Sequence, residues 1–101
     1  MTNISPEEVK KRIDAGEKLN LIDVREPHEN AEFNIGGKLI PLGKIQSMQT
    51  EEIDGLKNEE VIVYCRSGNR SGIAAMTLDS IGFTNTKNLS GGMLAWTEKF
   101  K

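Results

Sequence analysis

Short apolar runs alternate with helical patterns along this chain of 101 residues. Two of the runs, residues 19–24 and 61–64, have the length and composition of buried strands, and briefer candidates follow at 39–40 and 86–89. Strands that alternate with helices in this way predict an α/β fold. We therefore expect a mostly parallel sheet with helices on both of its faces.

Capping residues mark several of the predicted helices. The first helix begins with Ser5 as N-cap, Pro6 at the first helical position and Glu8 in a capping box. Further helices are predicted over residues 27–33 and from 71 to a glycine cap at 82, and the glycines at 91 and 92 precede a closing helix that carries Met93, Leu94, Trp96 and Phe100. Residues 44–58 are polar with a few apolar side chains at roughly helical spacing, which predicts one or two short helices or turns.

The composition narrows the functional classes. The length suits one domain over residues 1–101, and an apolar content of 37% can support a core. A net charge of −2 argues against a nucleic-acid partner, and no apolar stretch approaches the roughly 20 residues that span a bilayer. One cysteine and one histidine predict no disulfide framework, no metal site and no cofactor. We expect a soluble cytoplasmic protein.

Cys65 is the only cysteine, and it stands where the apolar run 61–64 ends and a polar, glycine-containing loop begins. A loop that leaves a strand and enters a helix turns backbone N–H groups inward, and the helix N-terminus favours negative charge. Arg66 and Arg70 flank the same segment. Cys65 is therefore predicted to be an ionised nucleophile in an anion cradle, the alternative being a small buried apolar residue.

Other residues near the predicted rim have plainer interpretations. Arg25 is expected to form a structural ion pair with one of the nearby glutamates, and Asp23 to accept backbone hydrogen bonds. Gly68 and Gly72 are expected to supply a positive φ or a close approach, the alternative being ordinary turn chemistry. Ser67 and Ser71 are expected to donate their hydroxyls to the sulfur, the alternative for Ser71 being a helix cap. His28 is expected to be solvated. Trp96 is expected to lie in the core.

The chain resembles the single-domain rhodaneses over nearly its full length. The resemblance rests on LIDVREPHE at 21–29, CRSGNRS at 65–71, GF at 82–83 and LSGGMLAW at 89–96. It implies a five-stranded parallel α/β sheet in which Cys65 accepts a sulfane sulfur as a persulfide. It also maps the backbone cradle onto the loop that follows Cys65, namely Arg66, Ser67, Gly68, Asn69, Arg70 and Ser71.

The resemblance implies a sulfurtransferase that takes sulfur from thiosulfate or a persulfide. With no second cysteine, the acceptor must be external: cyanide, a thiol or a sulfur-carrier protein. NIGG at 34–37 resembles rhodanese domains joined to adenylyltransferases, which favours a protein acceptor. Two alternatives remain, a noncatalytic interaction module and a phosphatase or arsenate reductase. Four residues lie between Cys65 and Arg70, as in rhodanese loops, whereas the phosphatases and arsenate reductases have one more. Tyr64 also stands where those phosphatases carry a histidine. Both features argue against a phosphatase or arsenate reductase.

Overall fold

The structure is a computed structural model and describes residues 1–100. These residues contain one sheet of five parallel strands in the order β1-β5-β4-β2-β3, which confirms the predicted α/β fold. The strands are β1 (Thr2–Ile4), β2 (Leu21–Asp23), β3 (Lys38–Leu39), β4 (Glu60–Tyr64) and β5 (Asn85–Leu89). The helices are α1 (Pro6–Asp14), α2 (Pro27–Glu32), α3 (Leu42–Gln46), α4 (Asn69–Ser80) and α5 (Gly92–Lys99), with a 3₁₀ helix at Glu51–Leu56.

Both faces of the sheet are covered, because alternate side chains of β4 point into two separate cores. Val61 and Val63 share one core with Cys65 and with apolar residues of α4. Ile62 and Tyr64 lie in the other, with residues of α1 and α5. The loop after β4 is thus held between two packed layers. No helix formed by residues 1–100 is long and apolar enough to cross a membrane.

The N-terminal strand β1 was not predicted. It pairs with β5 at the edge of the sheet, with Ile4 opposite Leu89. Thr2 and Asn3 are exposed and polar, so the strand has no apolar run to reveal it. The helix that follows begins as predicted, since the Ser5 side chain accepts a hydrogen bond from the Glu8 N–H at 3.1 Å.

Several boundaries differ from the prediction. Strand β2 is shorter than residues 19–24, whereas α3 and the 3₁₀ helix fill the stretch predicted as one or two short helices or turns. The helix α4 begins at Asn69, two residues before the predicted start at Ser71. Gly68 adopts φ +104° immediately before it, a conformation open to glycine, and so turns the loop directly into the helix.

Candidate active site

Cys65 lies at the carboxyl end of β4, between that strand and α4. It is 1% exposed and packs with residues of the α4-side core. The neighbouring strand β2 ends beside it, with Asp23 in register with Tyr64. Ligands of open parallel sheets collect at this edge. The strand ends therefore bring the cysteine loop and the Asp23–Arg25 segment to the same rim, as the sequence predicts.

Three hydrogen-bond donors surround the sulfur of Cys65. The N–H of Gly68 lies 3.1 Å from Sγ and the N–H of Ser71 lies 3.4 Å from it. The Ser71 hydroxyl oxygen is 3.3 Å from the same sulfur. Ser71 lies in the first turn of α4 and does not cap it, because the helix begins two residues earlier. The loop is therefore an arrangement of donors aimed at one sulfur atom.

These donors act against burial in setting the ionisation of Cys65. Burial by itself raises the pKa of the thiol, because it disfavours the charged thiolate. Hydrogen bonds from the Ser71 hydroxyl and from the N–H groups of Ser71, Gly68 and Ser67 favour the thiolate. Together they outweigh burial, so the pKa of Cys65 lies below its ordinary value. The direction is the one that a nucleophilic cysteine needs.

The start of α5 holds the Cys65–Arg66 backbone in place. The N–H of Met93 donates to the carbonyl oxygen of Cys65, and the N–H of Leu94 to that of Arg66, each at 2.9 Å. Gly92 makes this approach possible. A Cβ at Gly92 would overlap the Cys65 carbonyl oxygen and lie 2.6 Å from the Arg66 carbonyl oxygen. Sequence reasoning treated the glycine pair before α5 only as the start of a helix.

The two arginines of the loop have different surroundings. Arg70 donates from both terminal nitrogens to the Glu29 carboxylate, at 2.8 and 2.9 Å. Arg66 is exposed and forms no ion pair within residues 1–100. The sequence predicts two arginines available to an anion, whereas in the structure Glu29 already neutralises one of them. Arg66 is the loop cation that remains unpaired within the described residues.

A cavity of about 180 Å³ opens beside Arg66. Its walls combine charged side chains with exposed apolar ones, and Phe33 and Leu94 are 43% and 47% exposed. The lining residues are Arg25, Glu29, Glu32, Phe33, Arg66, Met93, Leu94 and Thr97. The cavity reaches the cysteine loop at Arg66, and its volume exceeds what a small inorganic anion fills.

Asp23 and Arg25 form a buried pair that ties the end of β2 to α2. The Arg25 guanidinium donates to both carboxylate oxygens of Asp23, at 3.0 and 2.9 Å, and the Arg25 backbone N–H donates to Asp23 at 3.0 Å. Asn30 adds a further hydrogen bond to the same carboxylate. The structural role of both residues is as expected, but the partner of Arg25 is Asp23. Glu29 instead pairs with Arg70.

Tyr64 is fully buried and its hydroxyl accepts a hydrogen bond from the Gly37 N–H at 3.1 Å. Burial raises the pKa of Tyr64 to about 12, with the Asp23 carboxylate adding to the effect. A side chain at Gly37 would collide with the tyrosine ring. Tyr64 therefore supports the loop between α2 and β3 and stays protonated at neutral pH.

The remaining candidate residues divide by exposure. Ser67 and Asn69 point into solvent, as does His28, whereas Trp96 is buried as expected.

Sequence reasoning missed Asn88 on β5. Its side chain contacts both the Ser71 hydroxyl and the Gly68 carbonyl oxygen. The one signal for Asn88 in the sequence was its position as a polar residue in a strand that is partly buried.

Comparisons with known proteins agree with this fold. A family model described as a rhodanese-like domain matches residues 5–99. The putative sulfurtransferase YtwF of Bacillus subtilis is 42% identical over 99 residues, which cover 97% of this chain and 92% of YtwF. The putative sulfur carrier protein YrkF of the same species is 39% identical over 97 residues, 95% of this chain and 51% of YrkF, so the chain spans about half of that relative. A crystal structure of a rhodanese-like domain protein from Staphylococcus aureus superposes with a TM-score of 0.84 at 31% identity, covering 95% of this chain and 91% of that one.

Proposed function

Because the chain belongs to the rhodanese-like domain family, we propose that it is a sulfurtransferase in which Cys65 carries the sulfur as a persulfide. The observation that carries the proposal is the set of donors around Sγ, with the Gly68 and Ser71 N–H groups at 3.1 and 3.4 Å. The donors lower the pKa of Cys65 despite its burial. A thiolate is the form of cysteine that attacks sulfur.

The first step loads Cys65 from a sulfane-sulfur donor. With thiosulfate, the thiolate attacks the outer sulfur, and a new sulfur–sulfur bond forms as that of thiosulfate breaks. Sulfite leaves with the bonding electron pair, and Cys65 keeps a persulfide with one negative charge. No general base is needed because the nucleophile is already ionised. The backbone donors of the loop face Sγ, which carries the charge of the attacking thiolate.

Arg66 is proposed to attract the donor. It lines the mouth of the site and forms no ion pair within the described residues, so its guanidinium is available to the oxygens of a dianion. Arg70 is proposed to act differently from the sequence-based expectation, because its two terminal nitrogens already donate to Glu29. We assign it to holding α2 against the start of α4, next to the loop.

The second step passes the outer sulfur to an acceptor. Cys65 is the only cysteine in the chain, so its persulfide is not resolved by an internal disulfide. Cyanide in an assay takes the outer sulfur as thiocyanate and restores the thiolate. In the cell we propose a thiol or a sulfur-carrier protein, for which the relative named as a putative sulfur carrier gives support. Alternation of the two forms predicts ping-pong kinetics.

Intact-mass spectrometry of the protein tests the proposal directly. Incubation with thiosulfate should add the mass of one sulfur, and cyanide should remove it. The Cys65→Ser variant is the matched control, because it removes the nucleophile while keeping a side chain of similar size, and it should gain nothing.

Other outcomes point to other functions. Loading by an alkyl persulfide but not by thiosulfate would restrict the donor class. Loading by neither would favour a noncatalytic interaction module. Hydrolysis of an aryl phosphate that is lost in Cys65→Ser would favour a phosphatase.

A further inference from the structure

The hydroxyl of Ser71 has two acceptors and one proton. Its oxygen lies 3.3 Å from Sγ of Cys65 and 2.5 Å from Oδ1 of Asn88. A hydroxyl donates one hydrogen bond at a time. When Ser71 donates to Asn88, it presents only lone pairs to the sulfur. When it donates to the sulfur, two oxygens face each other at close range with no proton between them.

The orientation of the Asn88 amide is fixed by a second contact. Its Nδ2 donates to the carbonyl oxygen of Gly68 at 3.1 Å. A flipped amide would set Oδ1 against that carbonyl, oxygen to oxygen. Asn88 is 8% exposed, and β5 pairs with β4 at Val63 beside the cysteine loop.

We propose that Asn88 is a positioning residue that competes with Cys65 for the single proton of the Ser71 hydroxyl. The inference rests on the proposed function only in taking Cys65 as the sulfur carrier. The backbone N–H groups of the loop are then the permanent donors to the sulfur, and the hydroxyl donates to it only while it is not donating to Asn88. A thiolate loses intrinsic nucleophilicity as hydrogen bonds stabilise it, so Asn88 leaves each thiolate more nucleophilic than a full-time hydroxyl donor would, while a smaller fraction of the thiol is ionised.

The same geometry fits the change that sulfur loading brings. The thiolate carries its charge on Sγ, whereas in a persulfide Sγ is a neutral bridging atom and the charge lies on the outer sulfur. The Ser71 hydroxyl then has no charge at Sγ to which it can donate, so it donates to Asn88. Asn88 is therefore the acceptor of this hydroxyl while the persulfide is present.

The test is a double-mutant cycle that combines Asn88→Leu with Ser71→Ala. Leucine is similar in size to asparagine and removes both contacts of the amide. The readout is the pKa of Cys65, followed by the ultraviolet absorbance of the thiolate against pH. Tyr64 is the only tyrosine, and its pKa of about 12 keeps its own absorbance change away from that of the thiol. Asn88→Ala serves if the leucine variant does not fold.

Asn88→Leu should lower the pKa of Cys65, because the Ser71 proton becomes free to donate to the thiolate. The ratio of thiolate to thiol at fixed pH should rise about two- to tenfold, the net effect of one hydrogen bond. In the Ser71→Ala background the same substitution should leave the pKa unchanged. An unchanged or raised pKa in Asn88→Leu, or a fall that persists without the hydroxyl, would overturn the proposal.

The charged surroundings stay constant through the cycle. Neither substitution changes a charge. The charged side chains at this rim are Arg66 in the loop, Arg70 on α4, Glu26, Glu29 and Glu32 at α2, Asp23 at the end of β2 and Arg25 after it. Those elsewhere on β4, β5, α4 and α5 are Glu60, Lys87, Asp79, Glu98 and Lys99. The titration needs no sulfur donor. The titration therefore tests the role of Asn88, and the mass measurement tests the Cys65 persulfide. Either proposal can fail while the other holds.

Discussion

Replacement of Gly92 by alanine tests how the start of α5 holds the cysteine loop. Gly92 is buried at φ +56°, and a Cβ there would overlap the Cys65 carbonyl oxygen. The carbonyl groups of Cys65 and Arg66 cannot move freely, because the N–H groups of Met93 and Leu94 donate hydrogen bonds to them at 2.9 Å. The added methyl group must therefore push the helix away from the loop or displace the loop itself.

The expected loss of stability has two parts. An alanine at positive φ costs about 1 kcal/mol net of its effect on the unfolded chain. Separation of α5 from the loop adds about 2 kcal/mol, since two backbone hydrogen bonds are worth about 1 kcal/mol each. Gly16→Ala is the matched control, because Gly16 has φ +85° with no atom within 4 Å of its Cβ position. Gly16→Ala should lose only the stability that an alanine at positive φ costs, about 1 kcal/mol.

Urea unfolding measures the difference between these variants, with Trp96 fluorescence as one probe and far-ultraviolet circular dichroism as a second. Trp96 is the only tryptophan and is a buried residue of α5. Gly92→Ala should also load sulfur more slowly than Gly16→Ala under conditions in which both are folded. If the two variants unfold within about 0.5 kcal/mol of each other, a usual spread for neutral substitutions, the backbone contact does not hold the loop.

Three further predictions follow from the site. Arg66→Ala should reduce kcat/KM about tenfold more for thiosulfate than for an uncharged alkyl persulfide, because it removes one charge-assisted hydrogen bond; equal losses would contradict that role. Tyr64→Phe leaves the Gly37 N–H without its partner, and urea unfolding should show a loss of about 1–3 kcal/mol. The hydrogen bonds from Arg70 lower the pKa of Glu29 from 4.5 to about 2. The pair therefore stabilises the fold above pH 4.5 and loses its effect as the pH falls towards 2, so Glu29→Gln should cost about 1 kcal/mol at neutral pH and less in acid.

Local patterns in the sequence were enough to locate the loop that follows Cys65. The apolar run before Cys65, the glycine in the loop and the helical spacing after it are all short-range signals, and the strand, loop and helix follow in that order. Parallel topology then places the carboxyl ends of β2 and β4 at one edge. The position of Asp23 near the loop follows from that rule without any knowledge of side-chain contacts.

Partners that are distant in the sequence could not be predicted in the same way. Glu29 and Arg70 are 41 residues apart, and Asn88 lies 17 residues from Ser71. Arg25 pairs with Asp23, two residues before it, whereas Glu29, one of the nearby glutamates expected as its partner, pairs with the distant Arg70. Strand β1 was hidden for a similar reason, because its pairing with β5 depends on backbone hydrogen bonds that polar residues make equally well.

The cradle is built mostly from backbone groups, and this has a consequence for how the site tolerates substitution. Ser67 and Asn69 point into solvent while their peptide groups stay in the loop, so changes of their side chains leave the donors to Sγ in place. Gly68 and Gly92 have no functional side chain, yet one sets the turn into α4 and the other admits α5 to the Cys65 carbonyl. Substitutions at these two glycines should therefore impair sulfur loading more than substitutions at the polar residues between Cys65 and Arg70, apart from Arg66.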